Sequence, residues 1–121
     1  MFDVIIQDNL QLIMESIVLI GNRFSTINSA DDLVSSEDGV LMLDAIAMRL
    51  QVVGELLKKI NKVDNSILEN YPEVEWNKIM KLRDIVSHHY EKMDHEIIFD
   101  ICKNHVPRLK STIHKIIEKE N

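Results

Sequence analysis

Apolar residues recur at helical spacing in four stretches of this chain. From about Phe2 to Asn22, Ile6, Leu10, Ile13, Ile17 and Ile20 fall on one line of a helix, widened by Ile5, Met14 and Val18. Gly21-Asn22 supplies a stop signal. From about Glu37 to Asn61 there are two stripes. Leu43, Ile46, Leu50, Val53, Leu57 and Ile60 form one; Leu41, Ala45, Met48, Val52 and Leu56 form the other. Together they exceed the ~100° that a helix with one buried face needs. This helix is therefore expected to be buried on two sides, either at the centre of a bundle or between the core and a subunit interface. Gly54, which costs about 1 kcal/mol relative to Ala inside a helix, implies close approach of another helix.

Between these two helices, residues 23–37 are rich in Ser, Thr, Asn and Asp and read as a loop, with a short helical turn around Ala30 to Leu33. A short helix, Ser66 to Asn70, capped by Asp64 or Asn65, stops before Tyr71-Pro72. The next helix starts near Glu75, turns Trp76, Ile79, Leu82, Ile85 and Val86 inward, and ends near His88 to Tyr90. Asp94 caps a last helical region, His95 to Lys119, and Pro107 inside it predicts a kink or break just upstream. The expected architecture is all-α, an up-and-down bundle of four main helices with one or two short ones, forming a single domain over residues 1–121.

Composition agrees. With 121 residues, 45% hydrophobic, 28% charged, three Gly and two Pro, the chain reads as one globular, helix-rich domain. Its single cysteine, Cys102, excludes an internal disulfide and a zinc site built from cysteines. The start lacks a basic n-region, and the longest purely apolar run is Ile17 to Ile20, so the expectation is a soluble, cytoplasmic protein with no membrane partner. A net charge of −6 argues against non-specific duplex binding. The charge is uneven: residues 1–44 carry one basic and eight acidic residues (−7), residues 45–121 thirteen and twelve (+1). An anion site is therefore expected in the later part of the chain.

That part holds Arg83-Asp84-Ile85-Val86-Ser87-His88-His89-Tyr90. Asp84 and His88, four apart, share a helical face, where the carboxylate orients the imidazole as a general base requires. Arg83 offers a forked donor suited to phosphate. At ~100° per residue the Asp84–His88 edge lies about 160° from the apolar face of its own helix, and Arg83 lies about 140° from His88. A regular helix cannot close both groups on one phosphate. Either the helix unwinds near His88, or a second subunit completes the site, as a two-fold dimer would. Charged and His residues near a helix C-terminus also act simply as caps and surface groups.

Arg83-Asp84-x-x-x-His88-x-Tyr90 resembles the Arg-polar-x3-His-x-Tyr motif of the HepT-like family, in the HEPN superfamily of small helical ribonucleases. Leu50-Gln51-Val52-Val53-Gly54-Glu55 is similar to its Gly-Glu segment. Tyr71-Pro72-Glu73-Val74-Glu75-Trp76-Asn77-Lys78-Ile79 is similar to its Pro-Glu-x-x-Trp approach to the motif. Asp94 to Pro107 is similar to the start of its final helix. The likeness covers about residues 38–118. Asp84 stands where many relatives carry Asn and places a negative charge near the phosphate. The resemblance implies a HEPN-like four-helix bundle acting as a homodimeric, metal-independent endoribonuclease, the toxin of a type VII toxin–antitoxin pair. It implies Arg83, Asp84 and His88 as catalytic residues acting on RNA without a cofactor. It further implies a minimal nucleotidyltransferase antitoxin as partner, which silences the toxin by transferring AMP to Tyr90. The alternative is a non-catalytic helical partner, or a nucleotide-binding subunit, of a nucleotidyltransferase.

The remaining candidates read mainly as structure. His88, His89 and His95 together suggest a metal, but adjacent histidines diverge on a helix, so surface positions are expected. Glu55 is either a polar group inside the bundle that fixes Arg83 or a surface charge. Trp76 reads as core and Cys102 as packing. His105 and His114 read as surface or seam, and Lys58, Lys59 and Lys62 as cations that oppose a helix dipole, with contact to RNA or a partner as the alternative.

Overall fold

A computed structural model describes residues 3–82 and 94–120. Among them every regular element is helical. Helix α1 spans Val4–Phe24, a 3-10 turn follows at Ala30–Leu33, and α2 spans Glu37–Val63. Two short helices come next, α3 (Ser66–Glu69) and α4 (Trp76–Met80). The last rod is α5 (His95–Asp100), a π-turn (Ile101–His105) and α6 (Val106–Glu120) in succession. The all-α expectation holds.

The helices start where side chains satisfy backbone donors that a helix leaves unpaired. Asp3 Oδ1 accepts from Ile5 N at 2.8 Å, Ser36 Oγ accepts from Gly39 N at 3.0 Å, and Asp94 Oδ1 accepts from Glu96 N at 2.9 Å. Asp64 Oδ1 accepts from both Ser66 N (3.0 Å) and Ser66 Oγ (2.6 Å), which turns the chain from α2 into α3.

One core joins the rods. Ile6, Leu10, Ile13, Ile17 and Ile20 of α1 pack with Leu43, Ile46, Leu50, Val53, Leu57 and Ile60 of α2 and with Leu109, Ile113 and Ile116 of α6. Burying each such side chain stabilises the fold by about 1.5–3 kcal/mol. α1 is long and apolar enough to cross a membrane by length and composition, with mean hydropathy 1.4. The longest unbroken apolar run had not revealed this. In the fold its apolar stripe lies against α2 and α6.

One expectation is corrected and another narrowed. Gly21-Asn22 does not stop α1, which continues to Phe24. No glycine among the described residues takes a positive φ, so Gly21 has no capping geometry. The extra turn is held by Arg23 Nη1, which donates to the Ala45 carbonyl at 3.4 Å, and by the Phe24 ring, 5.2 Å from that of Phe99 on α5. Within this chain the Leu43–Ile60 side of α2 faces the core, while the other stripe is exposed for much of its length; of the two placements expected for α2, the centre of a bundle is not the one seen. The Leu43–Ile60 stripe is buried, whereas Leu41 is 66% and Met48 59% exposed. Among the described residues no further helix lies over that half of the second stripe.

Candidate functional site

The sequence places the candidate chemistry at Arg83, Asp84, His88 and Tyr90. All four, with His89, lie outside the described residues. Their entry is well defined. The Tyr71 carbonyl accepts from Trp76 Nε1 at 2.9 Å, which folds the Tyr71–Glu75 connection against the buried Trp76 ring. α4 then buries Ile79, and Leu82 after it is buried too. The approach to Arg83 is thus anchored through Trp76, Ile79 and Leu82, and Trp76 is core as expected. Glu55 is half-buried on α2 with its Oε2 buried, as expected of a polar group inside the bundle; the Arg83 it was expected to fix lies outside the described residues.

Across from α4 lies the π-turn. Pro107 has no N–H and its ring would strike the Lys103 carbonyl in a regular helix. The helix widens instead of breaking: Val106 N donates to the Ile101 carbonyl, five residues back. The widened register also brings residues five apart together on the outer face. Asp100 accepts from Asn104 Nδ2 at 2.6 Å and pairs with His105 Nε2 at 3.5 Å. The expected kink upstream of Pro107 is therefore a π-turn.

Between α4 and this turn is a groove of about 480 Å³. Its floor is Val74, Ile79, Leu82 and Ile101, all buried; its rim is Glu73, Glu75, Lys78, Lys81, His105 and Arg108, all exposed. Both rim carboxylates are paired: Glu75 with Lys78 at 3.0 Å and Glu73 with Lys115 at 3.5 Å. Among the described residues Lys81 and Arg108 make no ion pair. Sequence reading passed over Lys81 and Arg108 and took His105 as surface or seam. The usable signal was the basic excess of residues 45–121 combined with the kink at Pro107.

Cys102, a residue of the π-turn, is buried, and burial pushes its thiol up to about 12. It packs, and it has almost no thiolate at neutral pH. His95 opens α5, and His114 pairs with Glu118 at 3.1 Å on the exposed face of α6. Among the described residues no group of three or more His, Cys, Asp or Glu side chains converges as a metal would require.

The family described as ribonuclease HepT-like matches residues 6–116. A Methanocaldococcus jannaschii protein named for both a gamma-glutamylcyclotransferase and an RNase is 29% identical over 107 residues, covering 88% of this chain and 45% of that protein. A second protein of the same organism, carrying an RNase assignment, is 36% identical over 74 residues, 61% of this chain and 59% of its own length. The probable ribonuclease HepT of Thermococcus cleftensis is 27% identical over 110 residues, covering 91% of this chain and 94% of that protein. The chain thus spans about half to three-fifths of the first two relatives and nearly all of the third. No solved structure matches. The family match over residues 6–116 settles the assignment: this chain belongs to the HepT-like ribonuclease family.

Proposed function

We propose that this chain is a metal-independent endoribonuclease of the HEPN type, the toxin of a toxin–antitoxin pair. The observation that carries the reading is the family match over residues 6–116, which includes the whole Arg83 to Tyr90 segment. RNA brings its own nucleophile, the 2′-OH. His88, oriented by Asp84, takes that proton, and the 2′-oxygen attacks the adjacent phosphorus. The P–O5′ bond breaks, and the leaving oxygen takes the proton back from the His88 imidazolium, leaving as a 5′-OH and restoring the neutral imidazole. Arg83 stabilises the charge that gathers on the phosphorane. The products are a 2′,3′-cyclic phosphate and a 5′-OH end.

The working form is a homodimer. Arg83 and His88 are about 140° apart on a regular helix, so each needs a partner from elsewhere. The exposed Leu41 and Met48 of α2 supply an apolar face for a second copy. In the cytoplasm, a minimal nucleotidyltransferase silences the toxin by moving AMP from ATP onto the Tyr90 hydroxyl, releasing pyrophosphate. A bulky anion two residues from His88 repels RNA phosphate.

The test is cleavage of several RNAs by purified protein in excess EDTA. Wild type cuts; His88→Ala and Arg83→Ala do not. Equal behaviour of all three proteins overturns the catalytic assignment. Incubation with the cognate transferase and ATP should add about 329 Da at Tyr90 and abolish cleavage, since the adduct is an anion placed next to the site.

A further inference from the structure

We infer that the groove between α4 and the π-turn is a nucleotide subsite: it seats one base of a single-stranded RNA while Lys81 and Arg108 hold the flanking phosphates. The inference rests on the ribonuclease reading for its choice of RNA and extends it to residues that the Arg83–Tyr90 motif does not contain.

Three features of the groove select this ligand. The first is size: its 480 Å³ falls within the about 300–1,000 Å³ of small-ligand sites. The second is the floor. Val74, Ile79, Leu82 and Ile101 form a buried aliphatic surface, suited to the flat face of a base and offering nothing to a bare phosphate. The third is the rim. Glu75 and Glu73 are neutralised by Lys78 and Lys115, which leaves Lys81 and Arg108 as cations with no ion pair among the described residues. In a chain of net charge −6, this local excess is what an anion would find. The ligand must therefore be flat and apolar in one part and anionic at its edge, which describes a nucleotide.

Position and shape support the same choice. Leu82 lines the groove and Arg83 is the next residue in sequence, so the groove adjoins the motif along the chain. The wall opposite is the π-turn, and both of its end residues, Ile101 and His105, line the groove. The extra residue in that turn lets Ile101 face the floor while His105, held by Asp100, stands on the rim.

Anisotropy titration of the full chain with a fully 2′-O-methylated RNA decamer tests this, because that probe binds but has no nucleophile and cannot be cut. The Lys81→Gln/Arg108→Gln double variant should weaken binding about tenfold or more. Its log–log salt slope should fall by about 1.4, for two lost phosphate contacts at ~0.7 each. The control, Lys62→Gln/Lys119→Gln, removes the same charge from positions that do not line the groove. It should leave affinity within about threefold of wild type. Both substituted pairs are exposed, and circular dichroism melts confirm that the variants fold. No binding by wild type, no loss in the groove variant, or an equal loss in the control each overturns the subsite. Decamer binding with no cleavage of ordinary RNA would overturn the ribonuclease reading and leave the subsite standing.

Discussion

A methyl group added at Gly21 and one added at Gly39 meet opposite surroundings. Gly21 lies in the last turns of α1, exposed, with no heavy atom within 4 Å of an added Cβ. Gly39 sits in the first turn of α2, where an added Cβ would run into the Asp32 carbonyl of the 3-10 turn. Gly21→Ala should therefore stabilise the fold by about 0.5–1 kcal/mol, by restricting the unfolded chain. Gly39→Ala should destabilise it, by about 1–3 kcal/mol, since backbone must move. Urea melts of the two variants check the signs. Cys102 makes a second residue-scale prediction. With its thiol pushed up to about 12 and its side chain buried, it should resist a thiol reagent at pH 8 in the native protein. It should react at once in denaturant.

The carboxylates that shape the loops carry a pH signature. Asp32 accepts from the Asn28 and Ser29 backbone N–H groups at 2.8 and 3.2 Å, and these bonds hold its carboxyl below the ordinary 3.8. Asp64 is lowered as well, first by the Ser66 hydroxyl and then by the Ser66 backbone. A carboxyl that is lower in the folded state stabilises the fold above its unfolded value. That contribution is lost as pH falls through the folded value. Stability should be flat near neutrality and drop as pH goes below about 4, and Asp32→Asn should flatten the drop.

At the scale of elements, the boundaries that were legible are those with a dedicated side chain. Asp64 and Asp94 each mark a helix start in the sequence, and each accepts a backbone hydrogen bond in the structure; Asp3 and Ser36 cap α1 and α2 in the same way and were not read as caps. The end of α1 was misread because Gly21 looks like a stop, whereas contacts from α2 and α5 carry the helix onward. Pro107 announced a distortion but not its form. Whether a proline breaks a helix or widens it depends on what packs on either side, and a period of 3.6 does not contain that information. The second stripe of α2 shows a similar limit. Its apolar content was visible, but which half the chain itself covers was not. If the exposed half meets a second copy, Leu41→Glu/Met48→Glu should yield a folded monomer by light scattering, with helicity unchanged. A variant that stays dimeric would remove that face from the interface.

For the molecule as a whole, fold class and family were legible because the Gly54-Glu55 pair, the Pro72-Glu73…Trp76 approach and Pro107 are spaced along helices that the apolar pattern already marks. The groove was not legible. It is assembled from α4 and the π-turn, more than twenty residues apart, and its cations matter only because neighbouring carboxylates are already paired. A linear charge count sees Lys81 and Arg108 cancelled by Glu73 and Glu75.

The claim that two subunits complete one site is tested most directly by mixing two inactive proteins. Arg83→Ala and His88→Ala subunits, unfolded together and refolded, form mixed dimers. If each site takes Arg83 from one protomer and His88 from the other, one of the two sites in a mixed dimer is intact. RNA cleavage in EDTA should then return to about a quarter of the wild-type rate, since half of the dimers are mixed and each has one working site. A mixture as inactive as either variant alone, with mixed dimers verified by mass, would contradict the account.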